Sequence, residues 1–215
     1  MDRSSYRRLE FRAYSLYCHE FMAIPQPDPE RLRRARRGDP DAFRQLMATY
    51  QAPIYNYVLR LVGGDAALAE DLCQEIFMKV HQGLPGFNMQ CRFTTWLFQL
   101  AKYRVLDELR ANERRPRALV ALDDAPPLEV VDAPAERVET IEALWVAVEG
   151  LTTDLKMALL LRDVVGLSYN EIAEALEISL ATTKWRIFKA RELTAARLVA
   201  EGVLTPPSTT TSLAF

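Results

Sequence analysis

The stretch "GLSYNEIAEALEISLATTKWRIFKAREL", Gly166 to Leu193, carries apolar residues at helical spacing twice, with a break at Glu177–Ser179. Ser168, with Glu171 three residues on, forms a capping box that starts the first helix. Ile172, Ala173 and Leu176 supply its apolar face. Ser179 caps a second helix running from about Leu180 to Leu198, with Ile187, Phe188 and Leu193 expected to pack inward. This second helix gathers Lys184, Trp185, Arg186, Lys189 and Arg191, in a chain whose net charge is −2. A short helix, a tight turn and a basic helix make a helix-turn-helix pattern. Its second helix suits a DNA major groove, with N-terminal side chains at base edges and longer ones at phosphates. On that geometry Thr182, Thr183, Lys184 and Trp185 are placed to meet bases. Arg186, Lys189 and Arg191 are placed to meet phosphates, or in part to pair with helix acids. A solvated basic face on an ordinary bundle helix is the competing reading of the charge, and the preceding helix and turn decide against it.

Outward from this motif, the composition points to an all-α chain. Hydrophobic residues make up 49% and charged residues 26% of 215, glycines number 8, and no β-branched alternation is sustained. No apolar run approaches the ~20 residues of a membrane span, and no basic-then-apolar leader opens the chain. We therefore expect a cytoplasmic protein. Cys18, Cys73 and Cys91, beside only His19 and His81, match no metal-ligand spacing and read as free thiols in a reducing compartment. No Gly-rich phosphate loop and no nucleophile with a base is present, so neither an enzyme nor a cofactor is expected.

Toward the N-terminus, "DPERLRRARRGDP" and "DPDAFRQLMATYQAPIYNYVLRLVGG" each open on Asp-Pro, with Asp28 and Asp39 as caps and Pro29 and Pro40 at the first helical position. Pro53 is expected to kink or restart the second of these helices. Asp65 caps "DAALAEDLCQEIFMKVHQG", whose Leu68, Leu72, Ile76 and Val80 face inward. A fourth helix spans about Thr94 to Arg114. Residues 117–138 hold Pro126, Pro127 and Pro134 with Asp123, Asp124, Glu129, Asp132 and Glu136, and read as a flexible acidic linker. The expected architecture is therefore two small helical domains, 29–116 and 139–202, joined by that linker. An extension, 1–28, precedes them and a disorder-like tail, 203–215, follows. Residues 1–21 have two readings, a start codon placed upstream of a true start at Met22 or a genuine arm.

The motif at Gly166–Leu193 resembles the C-terminal promoter-binding region of bacterial extracytoplasmic-function sigma factors. "AEDLCQEIFMKVHQ" and "FTTWLFQLAKYRVLDELRANERRP" resemble the N-terminal region of the same family, in the same order. The resemblance covers roughly Asp28 to Ala200. It implies a promoter-specificity subunit of bacterial RNA polymerase, whose second domain reads the −35 element. Its first domain would read and melt the −10 element and dock on the clamp of the polymerase β′ subunit. For that docking the matching residues are Asp71, Gln74 and Glu75, with Phe77 the family aromatic. By themselves these residues are equally explained as a solvated face with Phe77 in the core. For the −10 strand the resemblance points to the loop residues Asn88, Met89 and Gln90. It adds Arg92, Phe93, Trp96, Gln99, Lys102, Tyr103 and Arg104 on the fourth helix. Aromatics stack on unpaired bases at roughly 1–3 kcal/mol each while cations hold the backbone. Core packing is the competing reading for Trp96 and Phe98.

Three positions depart from the common pattern. Met89-Gln90-Cys91 replaces a Gly-Asp-Ser type run, Tyr103 stands where a small polar residue is frequent, and Trp185 stands where a small residue is usual beside the basic position. These departures bear on promoter preference and not on the function class. A stand-alone helix-turn-helix regulator is the alternative. It explains Gly166–Leu198 but neither the Asp71-Gln74-Glu75 face nor the aromatic-basic helix. Family membership also implies an anti-sigma factor as partner. Deleting the tail Pro206–Phe215 is expected to leave protein-dependent run-off transcription by core polymerase intact; a large loss would show that the tail has a role.

Overall fold

The computed structural model describes residues 24–114 and 135–204, and among these the regular structure is helical throughout. Four helices form the N-terminal half: α1 (Pro29–Arg36), α2 (Pro40–Leu61), α3 (Ala66–Gly83) and α4 (Phe93–Arg114). Four more follow: α5 (Ala135–Glu149), α6 (Thr153–Asp163), α7 (Tyr169–Leu176) and α8 (Leu180–Ala200). The caps are those the side chains dictate. Asp28 accepts from the Arg31 amide at 3.0 Å, Asp39 from Asp41 and Ala42, and Asp65 from Leu68 at 2.9 Å. The capping box at Ser168 and Glu171 is closed in both directions. Asp39 also receives Arg34, and these hydrogen bonds, Ala42 first, hold its carboxyl below the usual range.

α2 runs unbroken through Pro53 instead of restarting there. The first domain is built on it: α1, α3 and α4 all pack against it or its neighbours. Tyr50, Ile54, Tyr57 and Val58 on α2 are buried against Leu72, Ile76 and Val80 of α3 and Leu97, Phe98 and Ala101 of α4. The Tyr57 and Phe98 rings meet edge to face at 5.4 Å. Gly83 allows one close approach: a Cβ there would stand 3.1 Å from the Trp96 ring. Ile24–Pro27, within the segment read as an extension, are seated on this domain, because Tyr50 donates its hydroxyl hydrogen to the Pro25 carbonyl at 2.8 Å.

α5 begins at Ala135, so the last four residues of the expected linker, 135–138, are helical. The rest of that linker, residues 1–23 and the tail from Thr205 lie outside the described residues. In the second domain α6 is buried over Leu155–Leu161 without a break. A helix buried on every side must be surrounded; α6 packs on α7, on α8 and on α2 of the first domain. On α8 the buried residues are Thr183, Ile187, Ala190, Thr194 and Leu198. Phe188 and Leu193, expected inward, are instead exposed, because they fall on the far side of that stripe.

Removing the Leu160 side chain leaves a cavity with no water-filled alternative. Leu160→Ala is expected to lower stability by about 2–5 kcal/mol in urea denaturation, while Leu193→Ala stays within about 0.5 kcal/mol. Equal effects at the two positions would contradict this packing.

Candidate nucleic-acid interface

The second helix of the helix-turn-helix projects a narrow outward stripe. Ala181, Lys184, Trp185 and Phe188 are exposed along one side of α8, Trp185 at 59% and Phe188 at 46% of their full surface. Ser179 caps the helix by accepting from the Thr182 amide at 3.0 Å, and its hydroxyl lies 2.8 Å from that of Thr182. Lys184 makes no ion pair among the described residues, so its charge is fully available to an anion. The stripe is therefore a cation beside two large aromatic surfaces, in the N-terminal half of a helix.

Three of the residues expected on this face are engaged elsewhere. Thr183 is fully buried and donates to the Ser179 carbonyl at 3.0 Å, so it cannot meet a base from this position. Arg186 bonds Asp154 at 2.6 Å and Arg191 clasps Asp163, which tie α8 to the two ends of α6. The reason is geometric: positions 183, 187, 190 and 194 form the core stripe, and 186 and 191 flank it beside α6. Lys189 pairs along its own helix with Glu192 at 3.1 Å. Phe188 was missed as an outward residue. Its spacing of three from Trp185 and four from Lys184 was the available signal.

The first domain offers a second face. The loop before α4 is shaped by Asn88, whose side-chain oxygen accepts from the Gln90 amide at 3.1 Å, and by Met89 in the left-handed region at φ 59°. Asn88, Met89 and Gln90 all point outward from it. On α4 the expected aromatics separate into two sets. Phe93 is buried against Tyr50 and Phe87, and Phe98 is buried too; both are core residues, as their inward register on α4 requires. Trp96 is half-buried and stacked on Phe87 with centroids 4.9 Å apart. Tyr103 is the exposed one, with the Lys102 ammonium 4.2 Å above its ring. Arg104 is turned away, bonded to Glu75 of α3 and to Glu108, and these partners, Glu75 first, raise its already high pKa.

On α3, Asp71, Gln74, Glu75 and Met78 share one exposed face, with Met78 among the most exposed apolar residues described. Phe77 is half-buried and packs on the core. Glu75 keeps part of its surface while holding Arg104, whose hydrogen bond lowers the Glu75 carboxyl below its usual range. Cys73, on the opposite side of α3, is buried, and desolvation pushes its thiol up to about 12, so it is not a reactive thiolate.

The two faces are not independent in this structure. Residues from α4 reach across to the turn of the helix-turn-helix. Lys102 bonds Glu177 at 2.8 Å, Gln99 donates to the same carboxylate at 3.0 Å, and the Tyr103 hydroxyl donates to it as well. Arg92 bonds Glu171 at 3.2 Å. Glu171 and Glu177 carried no expectation beyond local structure, since nothing in the sequence links residues more than 70 positions apart.

Comparison with known proteins agrees with these two units. Sigma-70 region 2 matches residues 46–115 and Sigma-70 region 4 matches residues 141–193. The RNA polymerase sigma-H factor of Pseudomonas aeruginosa is 34% identical over 181 residues, which cover 80% of this chain and 93% of that protein. The ECF RNA polymerase sigma-E factor of Escherichia coli K12 is 33% identical over 172 residues, covering 75% and 88%. Among solved structures, CnrH in complex with the cytosolic domain of CnrY aligns with a TM-score of 0.61 at 24% identity, over 80% of this chain and 96% of that one. The sigma factor RpoE of Bartonella quintana, in complex with the anti-sigma factor NepR, aligns at 0.60 and 21% identity, over 73% and 96%. A regulator acting alone has no use for the region 2 half, which is matched from within α2 to the end of α4. The chain belongs to the extracytoplasmic-function RNA polymerase sigma factors, a family not known as enzymatic, and directs promoter-specific transcription initiation.

Proposed function

We propose that the two exposed faces divide promoter recognition between them. The α8 stripe enters the major groove at the −35 element, with Thr182, Lys184 and Trp185 toward base edges. Phe188 joins them as an apolar neighbour suited to a thymine methyl. Lys189 serves the phosphates; Arg186 and Arg191 serve first to set the angle of α8 on α6. The observation that carries this reading is Lys184, without an ion pair among the described residues, beside exposed Trp185 and Phe188 on the second helix of the motif.

The −10 strand lies along the loop Asn88–Gln90 and the outer side of α4, where Arg92, Gln99, Lys102 and Tyr103 supply charge, hydrogen bonds and a ring. Trp96 contributes through the edge not covered by Phe87. Phe93 supports from below as core, and Arg104 holds α3 to α4. The face of Asp71, Gln74 and Glu75, with Met78 beside it, docks on the β′ clamp of core polymerase. An exposed apolar side chain ringed by carboxylates and an amide fits such a protein contact. RNA polymerase works on the chromosome, so the protein acts in the cytoplasm. No described helix is long and apolar enough to cross a membrane. The structural neighbour RpoE, solved in complex with the anti-sigma factor NepR, supports an anti-sigma factor as the regulator here too.

Run-off transcription on a genomic fragment library, with core polymerase alone and with the protein, tests the whole assignment. Transcripts that require both are expected; salt-sensitive duplex binding without them would instead indicate a stand-alone regulator. Lys184→Ala combined with Trp185→Ala is expected to weaken −35 duplex binding and, through the lost lysine, flatten its salt dependence by about one unit of slope. Unchanged affinity would remove the recognition role of this stripe. Asp71→Ala with Glu75→Ala is expected to lose affinity for core polymerase while the circular dichroism spectrum is retained; normal holoenzyme formation would sink the docking face.

A further inference from the structure

Two cations interrupt an otherwise apolar seam. Where α2 packs on α6, the buried side chains of both helices belong to one hydrophobic core. Arg60 of α2 and Lys156 of α6 are buried there as well, at 9% and 8% of their full surface. Long cations are almost never buried this far without a partner, because a desolvated charge is costly. Neither side chain makes a salt bridge or a hydrogen bond among the described residues. The Arg60 guanidinium lies 4.0 Å from the centre of the Trp145 ring of α5. The indole Nε1–H of Trp145 is itself buried with no acceptor.

The helices bring these groups to one level. Just past the C-terminal end of α6, the Val165 carbonyl accepts from the Ile24 amide at 3.3 Å, and the adjoining Pro25 carbonyl accepts from Tyr50 of α2. At the other end Arg60 lies over Trp145, one turn before α5 leads into α6. The two helices therefore run antiparallel. Tyr50 to Arg60 and Val165 to Lys156 both span roughly 14–15 Å at helical rise, which sets Lys156 at the Arg60 end of the seam. Burial lowers the pKa of each cation against the pull of Glu149, the carboxylate whose charge reaches both. Glu149 forms no ion pair with either, so one acid faces two cations. Guanidinium, ammonium and indole N–H are donors only. One donor comes from each of α2, α5 and α6. A tetrahedral oxyanion offers acceptors in that many directions, and two of its oxygens match the guanidinium fork.

We propose that Arg60, Lys156 and the Trp145 indole N–H together bind a small tetrahedral oxyanion of the phosphate class. The anion supplies the acceptor that all three groups lack. It joins α2 of the first domain to α5 and α6 of the second, and stabilises their packing by mass action. None of the three residues belongs to the −35 stripe, the −10 face or the docking face, so the site stands independently of those assignments. Free phosphate and the phosphate group of a larger metabolite share this chemistry.

The test follows the fluorescence of Trp145 in the full chain carrying Trp96→Phe and Trp185→Phe, which leaves it the one tryptophan of three. Inorganic phosphate and methyl phosphate are titrated separately at constant ionic strength. A saturable change is expected that sodium chloride does not produce, and the tighter probe tells a free anion from a phosphate ester. Arg60→Met and Lys156→Met keep the apolar stems and remove the charges; each is expected to weaken binding by about tenfold or more, the worth of one charge-assisted bond. Arg60→Lys keeps the charge but loses the fork, and is expected to weaken binding less. It carries the comparison if circular dichroism shows a methionine variant unfolded. A response that persists unweakened in the variants places the phosphate at other cations and overturns the site. A response that chloride reproduces is screening, and it overturns the site as well, as does no response at all.

Discussion

The unbroken burial of Leu155–Leu161 is the constraint on which the rest of the molecule depends. An eleven-residue helix cannot bury every side against one partner, so α6 must be enclosed. α7 and α8 enclose it within the second domain, and α2 closes the remaining side. Arg186 and Arg191 then clamp α8 to Asp154 and Asp163, at the two ends of α6, and this sets the direction in which α8 presents its outer stripe. The direction in which Lys184, Trp185 and Phe188 face is thus a consequence of how a leucine-rich helix is covered.

The division of labour among the basic residues follows from cost. An arginine flanking the core stripe gains more from a fixed carboxylate than from solvent, because charge-assisted bonds with little desolvation are the strong ones. Lys184 lies on the outer side, beyond reach of any acid among the described residues, and so keeps its charge for a partner. The same partition operates on α4. Arg104 is consumed by Glu75 and Glu108, whereas buried Lys102 and exposed Tyr103 meet an acid of the second domain, Glu177. A charge that serves the fold and a charge that serves DNA differ by a rotation of about 100° per residue around the helix axis.

The contact between the domains combines the apolar packing of α2 on α6 with ion pairs from Arg92 to Glu171 and from Lys102 to Glu177.

The sequence by itself determined the all-α character, the two helical units and the helix-turn-helix. These rest on caps and apolar periodicity, which act within a few residues: Asp28, Asp39, Asp65, Ser168 and Ser179 cap the helices they announce. The exposed face of Asp71, Gln74 and Glu75 was legible for the same reason. Only the tertiary structure decided that Thr183 is buried and Phe188 exposed, that Phe93 belongs to the core, and that Arg186, Arg191 and Arg104 are held by acids. It alone placed Glu177 on Lys102 and Tyr103, more than 70 residues away. Local rules fix which way a helix starts and which side is apolar, but partners across a packed interface depend on how separate helices are covered, and no periodicity within one segment carries that information.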